Sequence, residues 1–290
     1  MQTDLANFHL PTIRHIANLW TLVEHPSATS EWSLERKIAD VASNGFHGIM
    51  GHADRRIAAL AEQYGLTFVG FFSSSKAAAF RDWIQRNVDC GARHINVQLG
   101  NEDTPLESSV NLVVKLMETA GEMDVEVAVE VHRNTCTETP EKVFAIAAGY
   151  RRETGKLLPM TWDFSHLAVV KHLNPPYWDR LLVDAELIQR AQQFHFRPFN
   201  GHHCQIPVTD GKGRLSRELR QWLPMLDKTL ETWLGGKQSG REIFAVPEMG
   251  PLNGGAIGYG LSCFPPSWDE AKVLRAIIDK AWRNALASHR

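Results

Sequence analysis

The sequence predicts an α/β protein built as a single (β/α)8 barrel over residues 1–290. Three observations carry that prediction. Short apolar runs alternate with amphipathic stretches from end to end, giving about eight strand–helix units over about 250 residues, the size of one such barrel. Hydrophobic residues make up 43% of the chain, enough for one large core, and no linker, low-complexity segment or short-period repeat divides it. A doubly wound open sheet, the structural alternative, usually announces itself with a Gly-rich phosphate loop after its first strand, whereas here the first strand runs into VEHPSATS.

The units follow in order. IANLWTLVEH reads as the first strand, ending near His25. SEWSLERKIADVASNG reads as the helix behind it, with Ser30 as its cap and apolar residues at 34, 38, 41 and 42. GFHGIMGH is a short strand ending at His52, and ADRRIAALAEQYG a helix closed by Gly65. LTFVGFFSSS and KAAAFRDWIQRNVDCG form the third unit, ARHINVQLG and TPLESSVNLVVKLMETAGEMD the fourth. VEVAVEVHRNT is a β-branched fifth strand. The helix after it is marked by Thr139 as cap, Pro140 in the first turn and Gly155 at the end. LPMTWDFSH is the sixth strand, with a helical region near 177–187 behind it, and the seventh lies over roughly 188–197. The next helix, SRELRQWLPMLDKTLETWLGG, is expected to be kinked or interrupted at Pro224. REIFAVPEMGP is the eighth strand, and a long helix from Trp268 closes the chain.

Composition narrows the function. The formal net charge is −2, and the 31 basic residues are scattered, so there is no basic field for a phosphate backbone. The pairs Arg55-Arg56 and Arg151-Arg152 read as solvated helix faces, and nucleic acid is not an expected partner. No apolar core of a leader follows Met1, and no apolar run is long enough to span a bilayer, so a membrane is not an expected partner either. The four cysteines Cys90, Cys136, Cys204 and Cys263 include no C-x-x-C pair, which fits reduced thiols and a cytoplasmic location. Histidine is the unusual residue: the 13 present hint at metal or acid–base chemistry.

Barrel enzymes place their chemistry at the C-terminal ends of the strands. Those ends carry Glu24 and His25, His52, Gln98 and Asn101, Glu130 and His132, Asp163 and His166, His195 and Arg197, and Glu248. If the barrel closes, Glu130, Asp163, His195 and Glu248 converge on one mouth. Three carboxylates and an imidazole in a small volume repel one another, and a divalent cation resolves the conflict. Oxygen-rich ligation with one imidazole suits Mn²⁺ or Mg²⁺, with Co²⁺, Fe²⁺ or Zn²⁺ as further candidates.

Each residue also has a plainer reading. Asp163 could simply cap the next helix. His195, between Phe194 and Phe196, could be a satisfied core histidine, and Glu248 an ordinary loop carboxylate. Glu130 alternates with Val127, Val129 and Val131 and could end a surface strand. Their joint placement on four consecutive strand ends is what favours a ligand set. His132 shares a strand face with Glu130, and Arg197 with His195, so both are candidates for holding substrate. His25, His52 and Gln98 are pocket-wall candidates, and His166 could donate to a ligand from behind, cap a helix or contact substrate, the last being favoured. His202, His203 and Gln205 lie in a loop that could fold over the mouth.

The ordered motifs EVHRNT, DFSH, HFR and PEMG resemble the xylose isomerase-like TIM-barrel superfamily of sugar phosphate isomerases and epimerases, which also includes endonuclease IV. The resemblance covers nearly the whole chain. It implies that Glu130, Asp163, His195 and Glu248 hold one divalent metal ion, that Glu130 and Glu248 move protons, and that His166 and Arg197 contact a carbohydrate or polyol-like substrate. It also implies a reaction through a metal-stabilised enediolate, giving an isomerase or epimerase. A lyase of the same fold, acting on 3-dehydroshikimate or a 3-keto-glycoside, shares the first step. An endonuclease IV-like phosphodiesterase fits less well, because the third strand ends in FFSSS, the fourth in Gln98, and the loop after the seventh has Asp210-Gly211-Lys212 in place of a D-x-H pair. A non-catalytic sugar-binding barrel would be expected to lose one glutamate, and both are present. Related barrels often dimerise, so a homodimer is a further expectation.

Overall fold

A computed structural model describes residues 9–236, 240–252 and 258–289. Residues 1–8, part of the stretch read for a leader, lie outside it. Eight strands, β1 (Thr12–Asn18), β2 (Gly48–His52), β3 (Thr67–Ser74), β4 (His94–Leu99), β5 (Glu126–Glu130), β6 (Met160–Trp162), β7 (Gln193–His195) and β8 (Glu242–Val246), form a closed barrel in chain order. Every neighbouring pair is parallel, and β1 closes on β8 from Thr12 opposite Glu242 to His15 opposite Ala245. Among the described residues no helix is long and apolar enough to cross a membrane.

Among the described residues ten α-helices accompany the strands: α1 (Leu34–Ser43), α2 (Arg55–Gln63), α3 (Phe80–Asp89), α4 (Leu106–Glu122), α5 (Pro140–Thr154), α6 (Phe164–Val170), α7 (Trp178–Leu181), α8 (Ala185–Gln189), α9 (Arg217–Leu234) and α10 (Ser267–Ser288). Alternation along the strands sorts the side chains. Ile95, Val97 and Leu99 of β4 and Val127 and Val129 of β5 join the large apolar layer between sheet and helices. The intervening Asn96, Gln98 and Glu130 turn inward, where Asn96 and Gln98 both bond to Glu130. A small separate plug of Ile16, Met50, Val69 and Val246, edged by Phe244, fills the barrel below its mouth.

Local chemistry sets the boundaries. Thr139 accepts the Lys142 N–H, Pro140 opens α5, and Gly155 ends it at φ 71°, the left-handed conformation that favours glycine. The first strand differs from the sequence reading: it stops at Asn18, not near His25. The Asn18 side-chain oxygen accepts the Trp20 N–H at 3.0 Å and starts a 3₁₀ turn over Leu19–Leu22, so the apolar LWTL segment packs as a turn. Ser33, not Ser30, caps α1, because Ser33 Oγ accepts the Arg36 N–H at 3.3 Å while the Ser30 hydroxyl pairs with Ser27 at 2.8 Å. The seventh strand shrinks to three residues, since α8 takes the chain to Gln189. Helix α9 runs through Pro224 as one element.

Candidate active site and metal centre

The strand ends meet at one mouth and bring Glu130, Asp163, His195 and Glu248 together, each no more than 4% exposed. Asp163 lies one residue past β6 and performs two tasks with two oxygens. Oδ1 caps α6, accepting the Ser165 N–H at 3.0 Å and the Ser165 hydroxyl at 2.5 Å. Oδ2 has no hydrogen bond and lies 3.3 Å from Arg197 Nη2 and 3.3 Å from His166 Nε2. The helix-cap reading and the cluster reading of Asp163 therefore hold at once.

His195 Nδ1 stands 3.2 Å from Glu130 Oε1 and 3.2 Å from Glu248 Oε2. On its other side, His195 Nε2 is 2.5 Å from the Gln193 amide, which sits one layer down the same strand face. Glu130 Oε2 accepts from Asn96 at 2.8 Å and from Gln98 at 2.9 Å. The Asn18 amide donates to Glu248 Oε1, and Arg197 Nη2 donates to Glu248 Oε2 at 2.5 Å.

These neighbours dictate the protonation states. Burial would raise the Asp163 carboxyl, but the Arg197 charge outweighs it and leaves Asp163 well below its ordinary range. Burial also opposes ionisation of Glu248, and Arg197 and His195 overcome it and hold it down at about 2. Glu130 is lowered as well, because His195 outweighs its burial. Burial would lower His195, yet the Glu248 and Glu130 charges raise it to about 10. Three carboxylates thus face only Arg197 and a protonated imidazole, and the cluster keeps surplus negative charge.

The residues fit a divalent ion. The ligand atoms of Asp163, His195 and Glu248 lie within 4.8 Å of one another, the only such group among the described residues. Asp163 Oδ2 and His195 Nδ1 are buried with no hydrogen-bond partner, which is costly unless something else satisfies them. Carboxylate oxygen plus imidazole nitrogen is a donor set such ions take, with the His195 proton released as the ion binds. The mutual group has three members, not the expected four. Glu130 touches it through His195, while the Asn96 and Gln98 amides hold its second oxygen.

A cavity of about 480 Å³ opens above the cluster. Gln98, Glu130, His132, His195, Arg197 and Glu248 form its polar side, and His52 also lines it. His132 Nδ1 is 2.6 Å from the Arg133 carbonyl, which can only accept, so Nδ1 carries a proton. His166 does not line the cavity. It is fully buried behind His132, ring centroids 3.9 Å apart, and burial with the neighbouring His132 lowers it to about 4. The expected direct substrate contact is therefore not what its position provides. His25 is also displaced: because β1 ends seven residues earlier, it packs edge-on against Trp32 at 4.5 Å and lines a different cavity of about 280 Å³. His202 and His203 are exposed, and Gln205 is buried in hydrogen bonds to the Gly250 backbone at 3.0 and 2.5 Å.

Several site residues escaped the sequence reading. Asn18, Asn96 and Gln193 share inward faces with Ile16, Gln98 and His195, so the period-2 alternation carried a signal for them. Trp20, Phe71 and Tyr259 form cavity wall on the other side. Trp20 and Tyr259 lie outside the strands, where no periodicity marks them.

No family model matches the sequence, and no curated protein matches it. Solved structures do. A D-allulose 3-epimerase from Methylomonas sp. is 13% identical, with a TM-score of 0.57 over 95% of this chain and 100% of that one. A probable 3-DHS dehydratase involved in petrobactin synthesis from Bacillus anthracis is 16% identical, with a TM-score of 0.52 over 90% and 98%. A xylose isomerase-like TIM-barrel protein from Mycobacterium smegmatis, in complex with magnesium, is 13% identical, with a TM-score of 0.54 over 93% and 97%. With its closed ring of eight parallel strands, this chain has the xylose isomerase-like TIM-barrel fold.

Proposed function

We propose that the protein is a divalent-metal-dependent enzyme that moves a proton at a carbon beside a sugar carbonyl, as an isomerase or epimerase. The observation that carries this reading is the pair Glu130 and Glu248. They come from different strands, both line the cavity, and both stand 3.2 Å from the same imidazole nitrogen. Asp163, His195 and Glu248, with Glu130 beside them, would hold the ion, Mg²⁺ or Mn²⁺ by their oxygen-rich donor set, and it would supply Lewis acidity for the charge that develops on adjacent substrate oxygens. The magnesium-bound neighbour and the epimerase neighbour support the reading by analogy of fold.

The two glutamates differ as bases. Glu248 accepts from the permanently charged Arg197 guanidinium, whereas the amides on Glu130 are neutral. Glu130 is then the better proton acceptor and takes the proton. Glu248, ionised at rest, must first take a proton from solvent; as the weaker base it is then the stronger acid and gives that proton to the carbon, while Glu130 releases its own to water, so solvent supplies one proton and receives one. Arg197, His195 and Asn18 fix the Glu248 carboxylate, and Asn96 and Gln98 fix that of Glu130. Gln98 and His132 offer polar contacts to a carbohydrate's hydroxyls.

The lyase outcome has one observation in its favour: His132 lines the cavity with Nδ1 held on a backbone carbonyl, so its Nε2 would be the nitrogen that takes a proton from solvent and passes it to a leaving oxygen. The test is solvent deuterium incorporation by the metal-loaded enzyme with a panel of ketoses and 3-keto-glycosides, read by mass spectrometry. Incorporation with altered stereochemistry and no other change supports the epimerase, and loss of water or of an aglycone supports the lyase. No incorporation with any of them sinks the proton-transfer reading.

A further inference from the structure

The cavity has two chemically different sides. The residues supplied from β4 onward are mostly polar and form the floor described above. The segment after β1, the start of α2 and strand β3 supply Leu19, Trp20, Val23, Ile57 and Phe71, and Tyr259 adds a further aromatic ring. Trp20 and Tyr259 meet edge to face with centroids 4.9 Å apart, so the aromatic side is a packed wall. A hydroxyl-rich sugar can satisfy the polar floor, and its one C–H face can cover part of the wall, leaving the rest of six aliphatic and aromatic side chains without an apolar partner. Apolar surface of this kind is complementary to a flat apolar group.

Charge sharpens the argument. Among the described residues lining the cavity, Arg197 carries the only permanent positive charge. It is already engaged: Nη2 lies 2.5 Å from Glu248 and 3.3 Å from Asp163, and the guanidinium stacks 4.7 Å from the Tyr259 ring centre. With the two charges of a bound divalent ion already offset by the three carboxylates, a phosphate entering the cavity would meet Glu130 and Glu248 with no unpaired guanidinium or ammonium to receive it. Arg133 stacks on Tyr259 as well, at 4.6 Å, but is not part of the cavity lining.

We infer that the substrate is an uncharged, unphosphorylated keto-glycoside whose aglycone is aromatic, with the keto-sugar on the polar floor and the aglycone against Trp20, Phe71 and Tyr259. This rests on the carbohydrate reading of the site and adds the substituent and the absence of phosphate. Phe71 and Trp20 are then specificity-determining residues, because they touch only the part of the substrate that does not react.

The test is calorimetric binding to the Mg²⁺-loaded enzyme of phenyl glycosides, the matching methyl glycosides and the matching phenyl glycoside 6-phosphates, over a panel of common hexoses. For at least one hexose, the phenyl compound should bind ten-fold or more tighter than the methyl compound, and its 6-phosphate ten-fold or more weaker. Phe71→Ala and Trp20→Ala should each pull the phenyl-to-methyl ratio toward one, and Phe71→Trp should restore it for the first. Equal affinity for phenyl and methyl compounds, tighter binding of the 6-phosphates, or no binding by any phenyl glycoside overturns the inference. Deuterium exchange into unsubstituted ketoses is read separately. Exchange without a phenyl preference removes only the aglycone claim, and a phenyl preference without exchange removes only the proposed reaction.

Discussion

His195 and His15 lie on opposite sides of the barrel wall, and their surroundings drive them in opposite directions. His15, on β1, faces outward and its Nε2 is 3.2 Å from Asp279 of α10. Burial lowers it to about 4, because half-exposed Asp279 is a weak counterweight and Arg275 and His47 add positive charge nearby. His195 is just as buried, and burial pushes it the same way. Two buried carboxylates at 3.2 Å outweigh that push and take it to about 10. Burial therefore does not determine what a buried histidine is. The number and burial of the carboxylates around it do. Inside the wall the sum is surplus negative charge that calls for a cation. Outside it is a neutral ring holding a helix to a strand, a stability feature.

The sharpest break in this comparison comes from Glu130→Gln and Glu248→Gln. Each should lower solvent-proton exchange by about a thousand-fold, as expected for loss of a general acid or base, with the near-UV dichroism unchanged. Exchange within ten-fold of the parent would remove that residue from the chemistry. Next in size is Gln193→Leu, which strips the partner from His195 Nε2. Divalent-ion affinity by calorimetry should fall by about ten- to a hundred-fold. His15→Leu should leave that affinity where it was. A loss equal in both would mean that the two sides of the wall are not independent.

His15 makes its own prediction. Its folded value, about 4, lies below the unfolded 6.5, so between these pH values the unfolded chain binds more protons. Its contribution is complete above pH 6.5 and is lost as pH falls toward 4. From pH 7 to pH 5 the loss is roughly 2 kcal/mol, and in urea titrations His15→Leu should flatten that part of the acid limb. A slope identical to the parent's would show that His15 does not titrate as its burial requires. Smallest is Thr139→Ala, which removes the α5 cap. It should cost about 1 kcal/mol at either pH and move neither ion affinity nor the acid limb.

Helix α5 shows why much of the fold was legible. Its cap, its opening proline and its terminating glycine act within one turn of themselves, so a linear string carries the whole signal. The first strand shows the limit. The apolar residues of LWTLV suit a strand or a buried turn equally, and the Asn18 side chain decided between them by capping the turn. His25 left the site for that reason, and Asn18 entered it.

The alternation of strands with helices and the four acidic or imidazole residues at consecutive strand ends were written in the sequence, because side-chain periodicity and chain order are local properties. Closure of the ring decided the rest. It set Arg197 between Asp163 and Glu248, put His166 behind His132, left Glu130 outside the group of three mutually close ligands, and joined Trp20 to Tyr259 across more than two hundred residues. Charge and contact depend on distance in space, and only the tertiary structure sets that distance.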